Sequence, residues 1–99
     1  MATYRLTTPA LRDIEKLITY LTREGSHEVA IRVESKLFAA FDDLVRLRPM
    51  GHTRLDVKRS DLLFHVVVPY LIAFRRQADE NVVIIRVLHG RRNVSRILR

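Results

Sequence analysis

The chain has 99 residues, 47% of them apolar, no cysteine, and a formal net charge of +7. That length holds one hydrophobic core, so residues 1–99 are read as one domain. The lack of cysteine excludes disulfides, thiolate nucleophiles and cysteine-ligated zinc, and no apolar run is long enough to cross a membrane.

In chain order, Thr3–Leu6 alternates polar and apolar residues and predicts a short strand. The stretch "TTPALRDIEKLITYLTREG" follows as a helix, with Thr8 as the expected cap and Pro9 at the first helical position. Leu11, Ile14, Leu17, Ile18 and Leu21 share one face, and Gly25 is expected to end the helix at positive φ. Ser26 can cap a second helix whose apolar stripe runs from Val29 through Leu37 and Phe41 to Leu44. It reaches about Leu47, roughly 30 Å at 1.5 Å per residue, before Pro49 and Gly51 stop it. So short a link between the helices predicts an antiparallel hairpin.

The period then changes. Leu62–Val68 and Tyr70–Arg76 are β-branched and aromatic, hence strands, with Pro69 in the turn between them. Polar Ala78–Asn81 makes the next turn, and Val82–Leu88 is a third strand. Asn93–Leu98 places Val94, Ile97 and Leu98 on one face of a short terminal helix. The predicted class is α+β: an N-terminal strand, a two-helix hairpin on one face of an antiparallel sheet with a three-strand meander, and a short C-terminal helix.

Charge is segregated. Residues 1–43 hold six Lys and Arg against seven Asp and Glu, whereas residues 44–99 hold twelve against four. Fifteen of the 18 cations are arginine, which suits forked contacts to carboxylates and phosphates. A one-sided basic field points to an acidic partner, either nucleic acid or protein, beside the plainer reading of a solvated face.

No Gly-rich phosphate loop is present, no histidine pair has metal-ligand spacing, and Ser26, Ser35, Ser60 and Ser95 lack a nucleophile-elbow context. No metal or cofactor is expected. Adjacent Asp42 and Asp43 diverge on a helix and read as a solvated edge. His65 reads as a half-buried strand residue, or as a ligand-facing residue on the sheet face away from the helices. His89 ends the last strand before Gly90, Arg91 and Arg92. Either it bonds backbone at a turn for which Gly90 supplies an unusual φ, or His89 and Arg86 flank a phosphate- or carboxylate-binding cleft with His89 as acid or base. The link "RLRPMGHTRLDVKRSD" adds Arg46, Arg48, Arg54, Lys58 and Arg59, which can share a rim with the His89–Arg92 corner.

The ordered set "YRLTTPALRDIEKLITYL", "RPMGHTRLD", "VVVPYLIAFR" and "IIRVLHGRR" resembles the RelE/ParE superfamily of toxins from type II toxin–antitoxin systems, over nearly the whole chain. The resemblance implies a cytoplasmic toxin, tied to plasmid or chromosome maintenance, that forms a hetero-oligomer with its cognate antitoxin. ParE-like members inhibit DNA gyrase; RelE-like members cut messenger RNA on the ribosome. The tyrosine of RelE-like members falls here on Leu88, their last-strand arginine near Val82, and residues 90–99 hold no tyrosine. Those departures favour the ParE-like branch, binding gyrase, alone or with DNA, without catalysis. The other branch keeps His89 as acid/base with Arg86, Arg91 and Lys58 steadying phosphate charge. The expected partner-binding residues are Arg54, Lys58 and Arg59 in the link, Phe74, Arg75 and Arg76 at a sheet edge open to an added strand, and Arg86, His89, Arg91 and Arg92.

Overall fold

The computed structural model describes residues 2–59 and 61–98, so Ser60 lies outside the described residues. The elements are β1 (Tyr4–Leu6), α1 (Thr8–Glu24), α2 (His27–Arg46), β2 (Leu63–Val67), β3 (Tyr70–Arg76), β4 (Val82–His89) and α3 (Val94–Ile97). No described helix is long and apolar enough to cross a membrane.

The four strands form one sheet in the order β1-β4-β3-β2. The meander β2–β3–β4 is antiparallel, as the alternation predicted. β1 is parallel to β4, with Tyr4 opposite Val82, so the sheet as a whole is mixed. A strand that leads into a helical hairpin can return to the sheet centre in either sense, and local alternation does not choose between them.

Both helix starts are capped by a hydroxyl. The first cap is Thr7 rather than Thr8: its Oγ1 accepts from the Ala10 N–H at 3.1 Å and donates to the Ile85 carbonyl at 2.8 Å. Its own N–H donates to the Ile84 carbonyl at 3.0 Å, so Thr7 is still extended when Thr8 turns into the helix. Ser26 caps α2, accepting from the Val29 N–H at 3.2 Å. Gly25 does not take a positive φ; it sits at φ −117. A side chain there would stand 3.0 Å from the Leu21 carbonyl oxygen, so spacing rather than handedness calls for glycine. Handedness matters at Gly51, φ 68, where a Cβ would also lie 2.9 Å from the Phe74 ring.

The core has two parts, one on each sheet face. Toward the helices, Ala10, Ile14, Leu37, Phe41 and Leu44 pack on Ile72, Phe74, Val82, Ile84 and Val87. The α1 stripe therefore turns more toward Ala10 than predicted, leaving Leu11 45% exposed. The opposite face is also covered: Val57 and Leu62 of the link and Val94 and Leu98 of the tail close over Phe64, Leu71, Ala73 and Leu88. Hence no open sheet face awaits His65. The pleat puts it on the side of Leu63 and Val67, which pack against the helix-side core.

Candidate functional site

The His89–Arg92 corner is a backbone turn. The Arg92 N–H donates to the His89 carbonyl at 3.0 Å, and the Arg91 N–H donates to His89 Nδ1 at 3.1 Å. A neutral His89 with Nδ1 accepting must carry its proton on Nε2. The ring meets Tyr70 edge to face, with centroids 5.9 Å apart. Gly90 supplies no positive φ, since Gly51 is the glycine that does so among the described residues. The Gly90 N–H donates to the Pro69 carbonyl at 2.9 Å, and a Cβ would stand 3.3 Å from that oxygen. Close approach of two chain segments is the reason for glycine there.

Arg86 does not offer a free guanidinium to a cleft. Its Nε and Nη2 donate to the Asp13 carboxylate at 2.7 and 2.8 Å, and the same carboxylate accepts from the Val87 N–H at 3.0 Å. β1 pairs with β4 only as far as Ile84, so beyond it the β4 edge has lost its neighbour strand. Asp13, from α1, stands in for the missing strand and Arg86 neutralises it. The carboxylate partner also raises the Arg86 pKa against the opposing effect of burial.

Several other predicted partner-binding cations are likewise engaged within the chain. Arg76 donates to the Leu44 carbonyl at the end of α2 and to the Pro49 carbonyl, both at 3.0 Å, and lies over the Phe74 ring. Arg54 grips Asp56 with two bonds of 2.9 Å and lies over Phe64. Arg59 and Arg75 share Asp61, at 3.2 and 3.7 Å. The carboxylates respond: Asp56 is held below its ordinary value by the Arg54 hydrogen bond, and Asp61 by that of Arg59. Pairs this exposed are screened by solvent and contribute little, so Arg54, Arg59 and Arg75 can exchange partners at little cost. Arg76 and Arg86 hold the fold together and cannot do so as easily. Phe74 is fully buried and presents nothing to a partner. Nor is the Phe74–Arg76 stretch an edge: β3 is interior, with Phe74 paired to Leu63 on one side and Ile84 on the other. The edge strands are β1 and β2, and Val66 and Val68 beside the β2 edge are 51% and 79% exposed.

Among the described residues, Lys58, Arg91 and Arg92 are exposed and have no carboxylate within salt-bridge distance in this chain. Val57, next to Lys58, packs in one cluster with Val94, two residues past Arg92. The link and the tail that follows the corner therefore come together on the sheet face away from the helical hairpin, and these three cations and the likewise exposed and unpaired Arg96 of α3 lie on or beside these segments.

At the same corner, His89 lines a cleft of about 480 Å³ between α1 and the end of the sheet. Leu17 and Val87 give it apolar walls; Lys16, Tyr20, Tyr70 and Arg92 join His89 around it, with Asp13 already engaged by Arg86. Lys16, Tyr20 and Tyr70 were not anticipated as neighbours of His89. The signal lay in the α1 face i, i+3, i+4, i+7 from Asp13, whose polar members sit among Leu17 and Tyr20. Tyr70 has its phenol pKa raised, first by burial and then by the nearby Tyr20. It therefore stays protonated near neutral pH and serves as a donor rather than a base. No three His, Asp or Glu side chains cluster to hold a metal among the described residues.

The fold is shared with known toxins. A structure titled as a chromosomal ParDE toxin–antitoxin system from P. aeruginosa superposes with a TM-score of 0.73 at 15% identity, covering 90% of this chain and 96% of that one. A chain of the RelBE2 toxin–antitoxin complex from Mycobacterium tuberculosis superposes with a TM-score of 0.59 at 27% identity, covering 89% and 96%. No curated protein matches. The profile described as the ParE toxin of the type II toxin–antitoxin system parDE matches residues 4–94, β1 through the start of α3, and so this chain belongs to the ParE toxin family.

Proposed function

We propose that this toxin acts by binding DNA gyrase, alone or with its DNA, through the cationic surface formed by the link and the His89–Arg92 corner, and that a cognate antitoxin neutralises it in the cytoplasm. The observation that carries the reading is a group of exposed cations, Lys58, Arg91 and Arg92, unpaired among the described residues, in a member of the ParE family. A cationic patch of this kind steers acidic macromolecules and holds them by contacts that weaken with salt. Catalysis is poorly supported at the same corner. His89 Nδ1 is occupied by a backbone amide, burial keeps Tyr70 protonated, and Arg86 is bound to Asp13.

For the antitoxin, the open β2 edge beside Val66 and Val68 suits an added strand, and exposed Leu11, Tyr20 and Ile31 on the helical hairpin suit an apolar helix face. Purified protein should inhibit gyrase supercoiling, and the triple substitution Lys58→Glu, Arg91→Glu, Arg92→Glu should abolish that inhibition. Full activity of the triple variant would remove the proposed surface. No inhibition by the wild type at a large excess would remove the target.

A second reading, ribosome-dependent cleavage of messenger RNA, draws on the placement of Tyr70 and Lys16 beside His89. Primer extension on ribosome-bound message discriminates: codon-specific cuts that vanish in His89→Ala would establish it in place of gyrase inhibition.

A further inference from the structure

β1 is an edge strand, and a small cavity opens at its start. We propose that this edge and cavity together bind an extended segment of a partner protein in which an acidic residue stands between two apolar ones. The segment adds beside β1 as a further antiparallel strand, and its carboxylate enters the cavity at Arg5. The β2 edge and the helical hairpin, assigned above to the antitoxin, take no part in it.

The backbone of β1 is ready for a neighbour. Thr3 accepts from the Val82 N–H and Thr7 donates to the Ile84 carbonyl, both at 3.0 Å, so these residues turn toward β4. Direction alternates along a strand, so Arg5 also turns toward β4, while Tyr4 and Leu6 present their N–H and C=O groups outward. No strand lies on that side, and no loop or side chain bonds to either residue among the described residues. The β2 edge is partly closed by comparison, because His52 and Phe64 exchange bonds of 3.0 and 2.8 Å.

The two faces of β1 differ in what they accept. Tyr4 and Leu6 pack on the helix side, where Tyr4 meets Phe41 at 5.5 Å and Phe41 meets Phe38 at 5.3 Å between ring centroids. The Tyr4 phenol pKa is raised, first by burial and then by Asp42, so this side favours apolar residues over acidic ones. Arg5 faces the other way, opposite Val83, and is exposed with no carboxylate partner among the described residues.

The cavity, of about 130 Å³, is lined by Thr3, Tyr4, Arg5, Gln77, Asn81 and Val82. Small-ligand sites span roughly 300–1,000 Å³, so this one suits a single carboxylate group. Arg5 supplies a forked cation, and the Gln77 amide and Thr3 hydroxyl supply neutral donors. The nearby Asp79 is already held by the Asn81 N–H and side-chain amide, both at 3.0 Å. Charge also decides the occupant. A second copy pairing antiparallel through Tyr4 and Leu6 would set Arg5 opposite its own equivalent, and like charges directly opposite weaken a ladder. An acidic residue in that place pairs with Arg5 instead.

The test is an NMR titration of the full chain with the blocked peptide acetyl-Thr-Val-Glu-Val-Thr-amide, its Gln analogue, and a form N-methylated at both valines. The Glu peptide should shift the Tyr4 and Leu6 amides and bind at least about fivefold more tightly than the Gln peptide. Arg5→Gln should erase that difference, while Lys36→Gln, an exposed charge loss outside the lining, should keep it. N-methylation removes the donors that face β1 and should weaken binding by about tenfold. Arg5 is exposed, so its variant should fold, and an unchanged Tm verifies it. Shifts confined to Val66–Val68 would put the strand on β2 and overturn the proposal. So would equal affinity for the Glu and Gln peptides, a difference that survives Arg5→Gln, or undiminished binding of the N-methylated form. Absence of binding at several millimolar would also overturn it, leaving Arg5 as a charge that guards the edge against pairing.

Discussion

Asp13 joins α1 to the unpaired end of β4, and removing its carboxylate should be among the costlier single changes in the chain. Asp13→Ala deletes bonds of 2.7 and 2.8 Å to Arg86 and one of 3.0 Å to the Val87 N–H. The two side chains are 23% and 10% exposed, so the pair lies between a surface ion pair, about 0–1 kcal/mol, and a buried pair broken on one side, about 3–5 kcal/mol. Water can reach Arg86 in part, while the Val87 N–H at the strand edge is left to find a new acceptor. About 2–3 kcal/mol follows, and for a chain of this size that lowers Tm by roughly 8–24 °C. Asp13→Asn keeps the shape and one acceptor for Val87, so it should lose about half as much. Urea unfolding measures both, with an unchanged slope to show that the native fold persists. A double-mutant cycle with Arg86→Ala isolates the pair. A loss under about 0.5 kcal/mol for Asp13→Ala, or a coupling under about 0.5 kcal/mol, would show that the carboxylate does not replace the missing strand.

Other consequences follow from the same contacts. Gly51→Ala forces a side chain into φ 68 and within 2.9 Å of the Phe74 ring, and chemical denaturation should show a loss of about 2 kcal/mol or more. Phe74→Ala empties the centre of the helix-side core and should cost about 3–5 kcal/mol by the same measurement. Arg76→Ala frees the Leu44 and Pro49 carbonyls and should loosen the link, read as faster amide exchange around Gly51 and His52, with a loss of about 1–2 kcal/mol. Asp56 has its pKa lowered in the folded chain, chiefly by the Arg54 hydrogen bond. Its contribution is therefore present above the unfolded pKa and fades as pH falls through the folded one. NMR titration should place the Asp56 midpoint below 3.8, and Arg54→Ala should return it toward that value.

How much of this was legible depends on the range of the interactions. Period, capping residues and turn residues are local, so α2 behind Ser26, β3 from Tyr70 to Arg76, and the tail with Val94 and Leu98 inward could be read from the chain. Family membership was also legible, through the ordered motifs ending in "RVLHGRR". The cap at Thr7 was misplaced by one residue because the decisive bond joins Thr7 to Ile84, 77 positions away. The second core face was missed because Val57 and Leu62 sit in a link with no period of its own.

The candidate site divides in the same way. Sequence alone determined that the molecule is basic in its second half and rich in arginine, and it offered a turn at His89–Arg92 as one of two readings of that corner. Tertiary structure alone decided which of those cations remain open to a partner. Arg86 is taken by Asp13 and Arg76 by two carbonyls, while Lys58, Arg91 and Arg92 stay without an in-chain acceptor among the described residues. Charge is a property of each residue, but pairing belongs to the geometry that folds residue 13 against residue 86. The same folding puts Lys16 and Tyr20 beside His89, about 70 positions along the chain.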